Sequence, residues 1–251
     1  MDLVERKGSG ATRHPWELAR AEFFLRLLDT HNLLAARAWL DAGSGDGWFA
    51  GQLRRLLPAD ARVTCWDVNY AAEDLEALAR RAADGIDFVR EQPTGRFDRV
   101  LMLDVIEHTD DDLGFVGAVV DKLLAKDGVM LISVPAYASL FSSHDHALRH
   151  RRRYSPSACR GILEQAGLRI ISSGGLFSSL LPIRGGQVLI ERARPERARP
   201  SGVGNWRHGR LVTGSIARAL ALDGRISLAL NQRGLSVPGL SYWALCRRSE
   251  S

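Results

Sequence analysis

An α/β fold, with a doubly wound and mostly parallel seven-stranded sheet, is predicted by three observations. Short apolar runs alternate with helical patterns of roughly ten to fifteen residues up to about residue 175, the pattern of successive strand–helix–strand units. The first run ends in a glycine cluster that feeds an amphipathic helix, and a last apolar run, Ser241 to Arg247, supplies a closing strand after a helical insertion.

The elements follow in chain order. Pro15 suits a first helical turn, Trp16, Phe23, Phe24, Leu27 and Leu28 recur at helical spacing, and His31-Asn32 closes that helix. Ala36 to Ala42 is a strand. Trp48, Phe49, Leu53, Leu56 and Leu57 share a helical face stopped by Pro58. Val63 to Val68 is the second strand and Ala71 to Ala83 a helix; Ile86 to Val89, Arg99 to Val105 and Val129 to Val134 are the next strands. Leu113, Val116, Val120, Leu123 and Leu124 mark a helix ended by Gly128. Ser155 as N-cap, Pro156 at the first position and Gly167 past the last turn frame another, before a sixth strand at Leu168 to Ser172. The predicted organisation is a core over residues 1–175 with an N-terminal lid helix, an insertion over 176–240, and the closing strand with its tail over 241–251.

Composition sets the class. The chain has 251 residues, 45% hydrophobic and 25% charged, which excludes disorder, collagen and a bare coiled coil. Its net charge of +5 includes +4 between Asp145 and Arg160 and +4 between Glu191 and Arg210, so the rest sums to about −3. An anionic partner should meet those two districts. Cys65, Cys159 and Cys246 form no CxxC pair, which argues against a disulfide scaffold or zinc knuckle and suits a reducing compartment. No signal-peptide core or run of roughly eighteen apolar residues is present, so the expectation is a cytoplasmic protein, with peripheral contact at the inner membrane face through the Arg-rich insertion. That insertion holds a near-duplicate Glu-Arg-Ala-Arg-Pro at 191–195 and 196–200.

The strongest chemical signal is Leu40-Asp41-Ala42-Gly43-Ser44-Gly45-Asp46-Gly47. Ligands bind open α/β sheets outside the carboxyl ends of the strands, where the first strand turns into a helix through glycines. Gly43, Gly45 and Gly47 permit close approach and positive φ. Asp67 ends the next strand, where a carboxylate accepts both hydroxyls of a ribose. The spacing is GxGxG preceded by an acid, not the GxGxxG that cradles a pyrophosphate. This weighs against a nicotinamide dinucleotide, and Asp41 fits a ligand carrying an amino group.

Together with Cys-Trp-Asp (65–67), Phe-Asp-Arg-Val-Leu-Met-Leu-Asp-Val-Ile-Glu-His (97–108) and Asp-Gly-Val-Met-Leu-Ile-Ser-Val-Pro (127–135), this motif resembles the class I S-adenosylmethionine-dependent methyltransferases, with their Rossmann-like sheet. The likeness is greatest to the small-molecule enzymes related to ubiquinone methyltransferases, over residues 12 to 175. It implies S-adenosyl-L-methionine as cofactor, with Gly43, Ser44, Gly45 and Gly47 lining it, Asp41 at its amino group and Asp67 with Val68 at the ribose. Asp87 and Phe88 would flank the adenine, and Leu103 and Asp104 would close the pocket.

Asp104-Val-Ile-Glu107-His108 should face the same cleft, either as scaffold or as a divalent-metal site for Mg²⁺ or a transition ion. The acid-x-x-Glu-His pattern resembles the metal site of ubiquinone-type O-methyltransferases and of small-RNA 2′-O-methyltransferases, with Asp104 where those families carry Glu. Past the fifth strand, Ser143 to Tyr154 falls where this fold places its acceptor loop. His144, His146 and His150, then His108, are the candidate general bases. Arg152, Arg153 and Tyr154 would orient the loop or grip an anionic acceptor. The loop and His14-Pro-Trp16-Glu17-x2-Arg20 resemble a methyltransferase subgroup of surface glycan and glycolipid pathways, in which the first helix lies as a lid over the cofactor.

The expected activity is therefore methyl transfer to a small-molecule or lipid- or glycan-linked acceptor, at oxygen. An RNA methyltransferase is the alternative enzyme, weakened by few aromatics near the arginines and no appended RNA-binding module, so nucleic acid is not the expected partner. A non-catalytic cofactor-binding protein is the alternative outside catalysis. The insertion, with Leu176 to Leu181 and a helix near Ile216 to Leu230, would pack on the sheet, cover a hydrophobic acceptor, meet a membrane or pair two subunits.

Overall fold

The computed structural model describes residues 13–194, 206 and 208–249. Strands β1 (Ala38–Ala42), β2 (Arg62–Trp66), β3 (Ile86–Val89), β4 (Phe97–Leu103), β5 (Leu124–Pro135), β6 (Leu168–Leu176) and β7 (Ser241–Arg248) form one sheet. Its order is β3-β2-β1-β4-β5-β7-β6, with β7 antiparallel to both neighbours. The chain order reverses between β1 and β4, which leaves a crevice at their carboxyl ends. The helices are α1 (Pro15–Thr30), α2 (Trp48–Arg54), α3 (Ala72–Arg81), α4 (Asp112–Lys122), α5 (Ser143–Ala147), α6 (Pro156–Gln165), α7 (Leu181–Ala193) and α8 (Arg210–Asn231).

Two apolar layers sandwich the sheet. On one side Phe23, Phe24, Leu27, Leu53 and Leu220, from α1, α2 and α8, pack on Trp39, Val63 and Trp243. On the other, Val116, Val120, Cys159 and Leu163, from α4 and α6, meet Leu40, Val100 and Met130. Each such fully buried side chain stabilises the fold by about 1.5–3 kcal/mol. The α1 helix starts where the sequence places it: His14 caps it with Nδ1 accepting the Trp16 N–H at 3.1 Å, and Glu17 returns to the His14 N–H at 3.3 Å. The Tyr-Trp-Ala-Leu-Cys run of β7 is buried throughout because that strand is interior to the sheet.

Two strand boundaries depart furthest from the sequence reading. Gly128 does not end a helix: α4 stops at Lys122, and Leu124, buried beside Phe97, starts β5 five residues earlier than expected. The sixth strand runs four residues further, to Leu176, because Ser172 to Leu176 finds partners on β7. Of the placements open to the insertion, packing on the core is the one α8 fills: it contains Ile216 to Leu230 and lies along α1 and β6, where Leu220 and Leu228 join the core. The second Glu-Arg-Ala-Arg-Pro copy, and Arg197, Arg199 and Arg207 with it, lie outside the described residues.

Candidate active site

The first turn is built by backbone geometry. Gly43, Gly45 and Gly47 all have positive φ (70°, 55° and 67°). A Cβ on Gly43 would sit 2.6 Å from Val105 Cγ2, and one on Gly47 2.5 Å from the Phe88 ring, so neither position admits a larger residue without displacement. Asp67, one residue beyond β2, accepts the Gly45 N–H at 3.0 Å and the Asn69 N–H at 2.9 Å. Each carboxylate oxygen keeps a second lone pair for a ligand hydroxyl. Tyr70 donates its hydroxyl to the Gly45 carbonyl at 2.7 Å and thus accepts from Ser44 Oγ at 2.8 Å. This buried clasp holds the turn against β2.

The cleft beside the turn is lined by Asp41, Gly43, Ser44 and Leu103 from below and by Glu17, Arg20 and Ala21 of α1 from above. Two ion pairs moor α1 across it: Arg13 to Asp46, and Arg20 Nη1 to Asp104 Oδ2 at 2.9 Å. Arg13 also stacks 4.3 Å over Trp48. Asp41 is buried, and desolvation pushes its acid up to about 7 against the opposing pull of Arg20. A site that keeps a carboxylate dry at such a cost is suited to an ammonium ligand.

Of the other cofactor positions, Phe88 faces the turn, while Val68 is largely exposed just past Asp67. Asp87 lies on the strand, its carboxylate 3.7 Å from Arg62 at the opposite, amino end of β2. Asp104 adopts a left-handed backbone (φ 59°), which aspartate tolerates better than most residues. Its carboxylate takes the Ser133 hydroxyl at 2.9 Å as well as Arg20.

The expected metal triad of Asp104, Glu107 and His108 is therefore redrawn. Ligand atoms of Glu107, His108 and His150 lie within 4.8 Å of one another, and Asp104 is held on Arg20 and Ser133 instead. A backbone bond from Arg151 N–H to the Glu107 carbonyl (2.8 Å) brings the loop of residues 143–154 onto the turn after β4, so the His108 and His150 rings meet edge to face at 4.9 Å. Glu107 is fully buried, and among the described residues neither of its side-chain oxygens has a hydrogen-bond partner. Burial and the neighbouring Asp104 carboxylate push its acid well above the ordinary range.

Within the loop the three histidines among the candidate bases separate. His150 Nδ1 lies 3.0 Å from Asp145 Oδ1; the carboxylate is acceptor-only, so Nδ1 carries the proton and Nε2 is the basic nitrogen. His146 is exposed and packs on Phe141 at 5.0 Å, and His144 is half-buried in α5. Asp145, fully buried, also accepts from Arg153 Nε at 2.7 Å and from the Ser142 N–H at 3.0 Å, with Arg184 at 3.5 Å. Desolvation raises its acid, but His150 and Arg153 together outweigh burial and hold it well below the usual carboxylate range.

In the arginine district of this loop Arg149, Arg151 and Arg160 are exposed, while Arg152 and Arg153 turn inward. Arg152 binds Asp112 at 3.1 Å and the Asp110 carbonyl at 3.0 Å, Arg153 the Ala136 carbonyl at 3.1 Å, and the Tyr154 hydroxyl Asp112 at 2.9 Å. Of the two roles open to these residues, orienting the loop is the one the contacts fill. The sequence reading missed Tyr70, Arg13 and Arg184, whose bonds to Gly45, Asp46 and Asp145 join segments distant along the chain; Arg13, four residues before Glu17, and Tyr70, three residues past Asp67, had the local signals.

Residues 14–173 match a family described as a methyltransferase domain. Among solved structures, a protein assigned as a sarcosine dimethylglycine methyltransferase from Galdieria sulphuraria is 18% identical, with a TM-score of 0.55 over 92% of this chain and 86% of its own. The mitomycin 7-O-methyltransferase MmcR is 15% identical, with a TM-score of 0.54 over 93% and 54%. A magnesium protoporphyrin IX methyltransferase from Synechocystis PCC 6803, solved with S-adenosylhomocysteine, is 19% identical, with a TM-score of 0.50 over 63% and 75%. No curated protein sequence matches the chain. With the family matching well over half its length, and a glycine turn flanked by two buried acids at the sheet's switch point, the chain belongs to the class I S-adenosylmethionine-dependent methyltransferases.

Proposed function

We propose that the protein transfers the methyl group of S-adenosylmethionine to a hydroxyl of a small-molecule or lipid- or glycan-linked acceptor, with His150 as general base. The observation that carries this reading is the Asp145–His150 pair beside the turn after β4. The first-turn residues fit the cofactor: Asp41 suits its amino group, the turn glycines admit its close approach, and Asp67 has acceptor capacity for its ribose. When bound, it supplies an electrophilic methyl whose leaving group is already activated.

The chain's own residues then have three tasks. The α1 helix, moored by Arg13 and Arg20, excludes water from the cleft. The loop, fixed by Arg151, Arg152 and Tyr154, positions the acceptor against it. His150 Nε2 takes the hydroxyl proton, and Asp145 stabilises the resulting imidazolium through Nδ1–H. Screening labelled S-adenosylmethionine against hydroxylated metabolites and glycolipids tests the assignment. His150→Gln should lower turnover about 10²–10⁴-fold while leaving S-adenosylhomocysteine affinity unchanged. Wild-type turnover in that variant removes the base.

A second reading is favoured by the unpartnered Glu107 carboxyl: Glu107, His108 and His150 as a divalent-cation site. Of the two kinds of ion the sequence leaves open, two imidazoles and one carboxylate suit a transition ion such as Mn²⁺ or Zn²⁺ better than Mg²⁺, which prefers oxygen donors. Activity lost in chelator and restored by Mn²⁺ supports this reading; full activity in chelator dismisses it.

A further inference from the structure

The α7 helix is amphipathic in the wrong sense for a helix packed on a core. Its charged side faces inward: Arg184 reaches Ser142 and Asp145, Glu191 accepts the Ser143 N–H at 2.8 Å, and Arg192 donates to the Ser139 carbonyl at 2.8 Å. Its apolar side faces outward, with Ile183, Leu189 and Ile190 at 59%, 67% and 63% exposure and Pro182 exposed beside them. Positions 183 and 190 are two turns apart on one stripe. Val188 is the one fully buried residue of the helix. The α8 helix buries Leu220 and Leu228 in the core, yet its outer side is also apolar, with Leu211, Leu222 and Ile226 more than half exposed.

The charge around these stripes has one sign. Among the described residues of α7 and α8 the acids are Glu191 and Asp223, and both are engaged inward, Asp223 by the Ser179 hydroxyl at 2.9 Å. Arg194, Arg210 and Arg218 are exposed. Apolar side chains rimmed by arginine match the acyl boundary and headgroups of an anionic bilayer. A second copy of the chain would set arginine against arginine with no acid between them, so the same charges disfavour self-pairing.

We propose that the outward face of α7, with the outer stripe of α8, seats on an anionic phospholipid bilayer, the helices lying in the interface and not crossing it. Among the described residues no helix is long and apolar enough to span. Because the inner side of α7 is bonded to the loop that carries His150, seating brings that loop to the lipid surface and favours an acceptor presented there. The binding itself does not depend on methyl transfer.

Flotation with vesicles of phosphatidylcholine alone, or mixed with phosphatidylglycerol, at low and high salt tests the proposal. The wild-type chain should float with the mixed vesicles, and raised salt should weaken this. The triple variant Ile183→Ser, Leu189→Ser, Ile190→Ser should lose at least about tenfold in partitioning while keeping its circular dichroism and S-adenosylhomocysteine affinity. Failure of the wild type to bind mixed vesicles, or equal flotation by wild type and triple variant, overturns it. So does equal binding to both vesicle types, or a dimer that the triple variant dissolves with no vesicle binding. Should the triple variant misfold, Arg194→Gln with Arg218→Gln must weaken flotation on mixed vesicles, and unchanged flotation overturns the proposal.

Discussion

Asp41 in the first turn and Asp145 in the acceptor loop are both buried aspartates, yet they are held in opposite ways. Asp145 is met by His150, Arg153, Arg184 and a backbone N–H, and its charged form is favoured despite complete burial. Asp41 feels Arg20 only at a distance, and burial wins, carrying its acid up to about 7. A buried charge that has its partners is part of the scaffold, where it positions other groups. One whose partners are too weak to offset desolvation marks where a ligand completes the electrostatics.

Exchanging the two residues in turn should break this contrast most plainly. Asp145→Ala removes the carboxylate that the half-buried Arg153 and Arg184 share and should cost about 3 kcal/mol in urea unfolding. Asp41→Ala should cost far less in the free protein, and its loss should appear in S-adenosylmethionine affinity measured by calorimetry. A severe stability loss at Asp41 with none at Asp145 refutes the distinction.

Asp67 lies between these extremes, since it supports the turn and faces the ligand. Asp67→Ala removes a charged acceptor and should weaken S-adenosylhomocysteine binding by about 1.5–3 kcal/mol. Unchanged affinity removes the ribose assignment.

The smallest expected effect is the most specific. Asp41, with its acid raised, contributes stability to the free protein that is fully present below the ordinary aspartate range and is lost as pH rises through about 7. Affinity for the cofactor's ammonium group runs the other way, falling by at most about tenfold per unit as pH drops below about 7. Asp41→Asn should flatten both slopes. Asp145 has the reverse sign: its contribution is present above the ordinary aspartate range and is lost only as pH falls through its lowered value.

Much of the cofactor half is legible in the chain because its parts are local. The strand, glycine turn and helix of residues 38–54 are contiguous, and Asp67 follows one unit later, so strand and helix periods alone bring them to one end of the sheet. The acceptor half is less legible. His108, His144, His146 and His150 are indistinguishable as residue types; the Arg151–Glu107 backbone bond and the Asp145 carboxylate single out His150. Gly128 misled because glycine after an apolar helical run is also compatible with a strand whose start is fixed by a neighbour, here Phe97.

By itself the sequence determined the class of sheet, the start of α1 at Pro15, the left-handed glycines of the first turn and the acids on either side of it, all set by short-range periodicity and backbone sterics. Tertiary structure alone decided that β7 lies between β5 and β6, that Asp104 serves Arg20 while His150 joins Glu107 and His108, and that α7 shows its apolar side to solvent. The physical reason is that pattern fixes which side of an element is apolar, whereas only the neighbours contributed by distant segments decide which way that side turns and which buried charge finds a partner.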